Sequence, residues 1–299
     1  MPALLLLAIL PGLYWDAGPH TAGTLKQAGI DRVYVPQSQK DAWTAQGVDA
    51  LAIDVAQLTK LGKPGVQYRM NQASATAVPW IDANGWQMDR DPKRTYYYDV
   101  PAAAVPIAMA EAYSRNARAV IHTDPPSFGR MLMFLKGIDQ PALPAQANIG
   151  VIDDGSEIAA EAMNLLARRN LLFRVLKAPD PKLDLNLQPT AKNASDPFAY
   201  AQDVRQKLGD DKRLVRLYGS DVVLANLTGN GAQARLFLIN YSNRKVTGLR
   251  VRLRAPYPKA TLHVFGIENA TPADYLTEAG ATELTIPEMN AFAVIDLSR

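Results

Sequence analysis

The sequence predicts an α/β protein: a (β/α) barrel, small or partial, followed by an all-β antiparallel sandwich. Two observations carry this. Up to residue 212, short apolar runs alternate with helical stretches, the rhythm of βα repeats. From 213 to 299 strand follows strand with no helical pattern, and turn residues recur roughly every 8–15 positions, the spacing of a sandwich.

The strands and helices of the first part can be taken in order. Gly12–Asp16 reads as the first strand. Thr21–Gly29 is helical, with Thr21 placed as N-cap and Gly29 as C-cap. Arg32–Val35 is a strand stopped by Pro36. Gln39–Gln46 is a helix ended by Gly47. Ala50–Ile53 is a third strand, a short helix runs to Leu61, and Gly65–Tyr68 is a fourth strand. Residues 70–95 read as a long irregular passage before the strand Tyr96–Asp99. The helix Ala102–Asn116, the strand Ala119–His122 and the helix Phe128–Lys136 follow, the last closed by Gly137. Two more strands, Ile149–Ile152 and Phe173–Leu176, bracket the helix Glu157–Arg169. Residues 178–196 read as a loop. The helix Pro197–Leu208 has Asp196 as N-cap and Pro197 at its favoured first position.

Residues 11–212 are thus expected to form the barrel-like domain and 213–299 the sandwich. The alternative is a shortened barrel followed by a separate Rossmann-like layer over 147–190, hinged at the Ala- and Pro-rich stretch Gln140–Ala147. In the tail, Leu249–Arg254 alternates apolar and basic residues, as a strand with one wet face does. Alternation in the tail's runs predicts burial of Leu236, Leu238, Val251, Leu253 and Val294.

Composition excludes several functions. Of 299 residues, 48% are hydrophobic and 20% charged, enough for two ordinary globular domains. The net charge of +3 is small and dispersed, so no nucleic-acid partner is expected. Without cysteine there are no disulfides, thiolate metal sites or thiol nucleophiles. The run 2–10 is too short to span a bilayer, so no stable membrane insertion is expected. It has the length of a secretory h-region, which predicts a secreted or periplasmic protein. A buried first strand, with a cytoplasmic location, is the alternative. The chain has no G-x-G-x-x-G, no G-x-x-x-x-G-K-[ST] and no G-x-S-x-G, so no nucleotide cofactor and no serine-hydrolase elbow are expected.

Barrel sites lie at the C-terminal ends of strands. Acids at such ends are Asp16, Asp54, Asp99, Asp124 and the pair Asp153 and Asp154. Asp16 stands out because Tyr14 and Trp15 place aromatics beside it. Trp80-Ile-Asp-Ala-Asn-Gly-Trp86 puts two tryptophans, an acid and an amide into one presumed loop. Indole faces stack on the C–H faces of sugars, while Asp82 and Asn84 suit their hydroxyls. The competing reading is a loop whose tryptophans plug the barrel end, with Asn84 and Gly85 serving as a turn. Tyr98, in the run Tyr96–Asp99, and the histidines His20 and His122 complete the candidate binding set. His122 and Asp124 close one strand together. No H-x-H or HExxH spacing supports a metal, and none is expected.

The order of barrel then sandwich resembles retaining, barrel-based glycoside hydrolases, and Ile149–Lys177 resembles the first βαβ unit of the amidotransferase-like domain of some β-galactosidases. The resemblance implies a carbohydrate substrate and hydrolysis by two carboxyl groups across the scissile bond. Asp16 is then expected to be one catalytic acid, with its partner among Asp82, Asp124 and Asp153, and Trp15, Trp80 and Trp86 are expected among the groups that bind sugar. No Asn-Glu pair stands at a predicted strand end. The alternatives are therefore a non-catalytic glycan-binding or structural protein on the same frame, or an isomerase or lyase using His122 with an acid.

Overall fold

The computed structural model describes residues 9–67, 79–138, 142–278 and 280–299. Most of the apolar run 2–10, and Tyr68 of the expected fourth strand, lie outside the described residues. The chain divides into two units: residues 1–65 with 91–142, and 66–90 with 143–299.

The first unit is built on six parallel strands. These are β1 (Gly12–Tyr14), β2 (Arg32–Val35), β3 (Asp49–Ala52), β4 (Thr59–Leu61), β7 (Thr95–Asp99) and β8 (Arg118–His122). Between β4 and β7 the chain makes an excursion through β5 (Gly65–Gln67), β6 (Trp80–Asp82) and the helix α3 (Gly85–Arg90). The sheet order is β3-β2-β1-β8-β7-β4. Each strand neighbours the next one of the sheet in the chain, except that β3 and β4 form the two edges. This is the order of a (β/α) barrel opened at one seam, a partial barrel. Helices α1 (Ala22–Gln27), α2 (Lys40–Ala45), α4 (Val105–Ser114) and α5 (Pro125–Gly137) connect the strands. Trp43, Leu13, Ile121 and Met109 are fully buried among them.

α1 and α5 approach closely at Gly129. A methyl group there would stand 2.0 Å from the carbonyl oxygen of Ala28. That oxygen belongs to backbone and cannot rotate away, so Gly129→Ala is expected to cost about 1–3 kcal/mol through overpacking. Urea unfolding of the variant at wild-type stability would show that the helices separate freely.

The second unit opens with a separate three-stranded parallel sheet of order β10-β9-β11, from β9 (Ile149–Ile152), β10 (Phe173–Leu176) and β11 (Leu185–Leu187). Helices α6 (Glu157–Arg168) and α7 (Pro197–Leu208) pack with it around Val151, Met163, Leu166 and Val204. Ser156 caps α6 through the Ala159 N–H, and Asp196 caps α7 through those of Phe198 and Ala199. β11 corrects the reading of 178–196 as a loop; its three residues are too few to register as a periodic run. The passage 70–95 is likewise not wholly irregular. It contains β6 and α3, and Gly85, a turn residue in the competing reading of that passage, begins the helix.

Two four-stranded antiparallel sheets form the C-terminal sandwich. Their strands are β12 (Val215–Tyr218), β13 (Val223–Gly229), β14 (Gln233–Asn240), β15 (Val246–Leu253), β16 (Lys259–Val264), β17 (Ala273–Glu278), β18 (Ala281–Met289) and β19 (Phe292–Ser298). The orders are β12-β15-β18-β17 and β13-β14-β19-β16. Leu236, Leu238, Val251 and Leu253 meet in the common core. Val294 is also buried, but it alternates with the core residues Ala293 and Ile295, so it lies on the other face of its sheet. On that face Phe237 and Phe292 stack with ring centroids 6.3 Å apart. Seven strand-like runs can be read in residues 213–299, and eight strands are present among the described residues. The additional β17 is an edge strand whose residues alternate between half-buried and exposed. Among the described residues no helix is long and apolar enough to cross a membrane.

Candidate functional site

Parallel pairing places the ends of β1, β8 and β7 side by side. Tyr14 is level with His122, and His122 with Asp99. The period of two in a strand then puts Tyr97 and Val120 on the face that carries Asp99 and His122. Tyr14, Tyr97 and Val120 pack as one cluster, with Tyr34, Ile53, Val55 and Leu58 against them. Tyr14 meets Tyr97 edge-on at 6.0 Å and His122 at 5.7 Å between ring centroids. The result is an aromatic floor beneath an acidic rim.

His122 organises that rim. Its Nδ1 lies 3.1 Å from Asp99 Oδ1, and its Nε2 lies 3.6 Å from Asp16 Oδ1. The imidazole therefore stands between two carboxyl groups. These distances and the width of one ring leave the two carboxyl oxygens at most about 9 Å apart, below the roughly 9.5 Å limit for the acid pair of a glycosidase. Both acids are open to solvent, Asp16 at 56% and Asp99 at 71% side-chain exposure. Asp54, just past β3, accepts hydrogen bonds from the Ala56 N–H and Gln57 Nε2.

The negative rim acts on the floor. Burial, then the charges of Asp16 and Asp54, push the Tyr14 hydroxyl above its ordinary pKa. Burial, then Asp99, Tyr14 and Asp16, push Tyr97 up to about 12. Both phenols are therefore neutral hydrogen-bond donors at any physiological pH. Ultraviolet difference titration of wild type against Tyr97→Phe is expected to show a phenol ionising near 12. Asp99→Asn should move it down. A midpoint that Asp99→Asn leaves where it is would mean that burial alone raises it and the rim does not act on this ring.

The other expected site residues fall as follows. Trp15 is half-buried, and its Nε1 donates to Thr21 Oγ1 at 2.9 Å, holding the loop that carries the exposed His20. Asp124 caps α5: its Oδ1 accepts from the Ser127 N–H at 2.9 Å, and its Oδ2 is buried with no partner among the described residues. Tyr98 is corrected. It is fully buried, and its hydroxyl donates to Glu111 Oε2 at 2.6 Å inside the core, so its neighbour Tyr97 is the one that meets the rim. Strand alternation decides which of the two tyrosines turns inward.

The remaining candidates belong to the second unit. Trp80 and Asp82 are on β6 and Trp86 is on α3, which corrects the expectation of a loop. Asp82 accepts from Gln67 Nε2 at 2.7 Å. The Arg168 guanidinium lies 3.7 Å over the Trp80 ring. Asn84 is buried, and its Oδ1 accepts from Gln87. Trp86 packs against the cluster around β9. Asp153 is held by Arg90 through two hydrogen bonds of 2.9 and 3.0 Å. Burial favours its neutral form, but the Arg90 bonds, the Gly155 N–H and nearby cationic charge outweigh that and hold it below the usual carboxylate range.

Ranking acids one at a time left Asp99 without a role. A signal for it exists: Tyr14-Trp15-Asp16 and Tyr97-Tyr98-Asp99 are the same Tyr-x-Asp pattern at two strand ends, each putting a phenol and an acid on one face. Among the described residues, no three His, Asp or Glu side chains are grouped so as to hold a metal ion.

No family model and no curated protein matches the sequence. Solved structures do match in fold. α-L-fucosidase isoenzyme 2 from Paenibacillus thiaminolyticus is similar at a TM-score of 0.53 and 8% identity, over 87% of this chain and 70% of that one. β-Galactosidases from Rahnella sp. R3 and Bacillus circulans sp. alkalophilus give TM-scores of 0.43 and 0.41 at 9% and 8% identity, over 90% and 89% of this chain. The chain spans 63% of the length of each galactosidase. The fold is thus that of a glycosidase-like frame, a partial barrel with a C-terminal β-sandwich.

Proposed function

We propose that this chain is a carbohydrate-active protein, a glycosidase-like hydrolase whose acid pair is Asp16 and Asp99. The observation that carries the reading is their placement on either side of His122, at adjacent strand ends above a floor of tyrosines. Neutral Tyr14 and Tyr97 would donate to sugar hydroxyls, while their buried rings form the floor beneath. His122 is a positioning residue, which orients both carboxyl groups. A separation of at most about 9 Å accommodates either spacing of the acid pair, about 5–5.5 Å for retention or about 6.5–9.5 Å for inversion. The frame's resemblance to retaining enzymes points to retention, and the anomer formed decides between the two outcomes.

A panel of aryl glycosides tests this through release of nitrophenol, with the anomer formed followed by NMR. Turnover is the expected result, and the anomer reports the spacing at which the acid pair works. A second reading is favoured by the exposure of both acids. A general acid holds its proton near neutral pH in a drier setting, so an open rim also suits a non-catalytic glycan binder. Saturation-transfer NMR showing glycan binding, with no turnover of any aryl glycoside, would select that second reading.

A further inference from the structure

The second unit holds a cavity of about 360 Å³ that the acid rim does not involve. It lies where the end of α6, the exposed side of α7 and strand β12 meet. Arg168, Arg169, Arg205, Arg213 and Arg216 line it, against only two lining acids, Asp210 and Asp221. Five cations and two anions leave an excess of three positive charges. The whole chain carries a net charge of only +3. The cavity therefore concentrates cationic charge in a protein that is otherwise nearly balanced.

Arg205, Arg213 and Arg216 are incompletely neutralised among the described residues. Arg205 and Arg213 both turn to one oxygen, Asp210 Oδ1, at 3.7 and 3.3 Å. The Arg213 side chain is only 10% exposed. Its Nη2 donates to the Arg169 carbonyl at 3.1 Å, while its Nε is buried with no hydrogen-bond partner among the described residues. Arg216 makes no ion pair among the described residues. Burial, followed by the charge of Arg205, lowers the pKa of Arg169. Burial likewise lowers that of Arg213, with Asp210 opposing and Arg205 adding to the effect. Each shift marks a guanidinium held charged where charge is unfavourable.

We propose that this cavity binds a small ligand carrying an oxyanion, a phosphate, sulfate or carboxylate group. Planar guanidinium forks take such groups through paired, charge-assisted hydrogen bonds, and an anion among them would relieve their mutual repulsion. The exposed Phe198 and Tyr218 line the same cavity and offer apolar faces to the body of the ligand. Phe198 is already stacked on by Arg169 at 4.3 Å, which fixes that guanidinium at the wall.

Isothermal titration of the full chain with inorganic phosphate, a sulfated disaccharide, a uronate disaccharide and a neutral disaccharide tests the site. At least one of the three anions is expected to bind saturably at one equivalent, more weakly as salt rises, while the neutral sugar gives no signal that these arginines affect. Inorganic phosphate competing with a bound disaccharide would assign recognition to the oxyanion itself. Arg205→Gln combined with Arg216→Gln is expected to weaken binding by about tenfold or more, because each removes a charged donor. Circular dichroism and an unchanged thermal midpoint would show that the variant is folded. Asp16→Asn should leave the affinity as it is, which separates this cavity from the acid rim. Failure of all three anions to bind, or equal affinity in the folded double variant, would overturn the proposal.

Discussion

Asp16→Asn is expected to lower turnover of an aryl glycoside by about 10²–10⁴-fold, the usual worth of a positioned acid or base. Asp99→Asn should do the same. Neither change should alter the thermal midpoint, because both side chains are more than half exposed and neither supports the core. The double variant should be little worse than either single one, as groups acting in one step are not additive. The expectation rests on register: Tyr14, His122 and Asp99 are level across three adjacent parallel strands, and Asp16 follows two residues beyond Tyr14. A shift of one residue in any strand would turn its acid to the other face of the sheet. His122→Ala is expected to reduce kcat more than it raises KM and to alter the pH profile, since the imidazole orients both acids. If Asp16→Asn and Asp99→Asn each keep wild-type turnover, the pair is not the catalytic one.

Asp153→Asn is expected to destabilise the second unit by about 3 kcal/mol, the low end of the cost of breaking a buried ion pair. The carboxylate is 8% exposed and Arg90 21%, and the amide that replaces it cannot take both guanidinium bonds. The pair joins α3 to the end of β9, and Arg90 Nη2 also donates to the Ser156 carbonyl at the start of α6. The pH dependence has a definite sign. The pKa of Asp153 is lowered in the folded chain, so its contribution is fully present above the unfolded carboxylate value of about 3.9. It is lost as the pH falls through the lower folded value. The gap between wild type and variant should thus be constant from about pH 5 to 8 and close below about pH 4. Urea unfolding at several pH values measures it. A gap below about 1 kcal/mol at neutral pH would class the pair with weak surface bridges.

Single candidate residues are legible in the sequence because what marks them is local, but the pairing of Asp16 with Asp99 is not, because it depends on register across three strands. Strand-end acids, aromatic neighbours at a period of two and the cap Asp196 are each written within a few positions of the sequence. The roles of Asp153 and Tyr98 were not legible. Asp153 meets Arg90 from 63 residues away, and Tyr98 finds Glu111 on the helix packed behind its strand. Nothing in the spacing of either residue signals such a partner.

By itself the sequence determined most of the alternation of strands and helices up to about residue 208, the change to an antiparallel sandwich near 213 and the set of acids available at strand ends. Each follows from which side of a local element must be apolar, and that is set by periodicity along the chain. The sequence did not show β4, where a short helix was expected, nor β6, α3 and β11. Tertiary structure decided the rest. It opened the six-stranded sheet between β3 and β4, gave β9 to β11 a sheet of their own, assigned residues 66–90 to the second unit and made Asp99 the acid across His122 from Asp16. These outcomes depend on which strands pair, and in what register, between segments tens of residues apart. Such pairings are selected by the free energy of the whole packed sheet, and no short stretch of sequence contains that information.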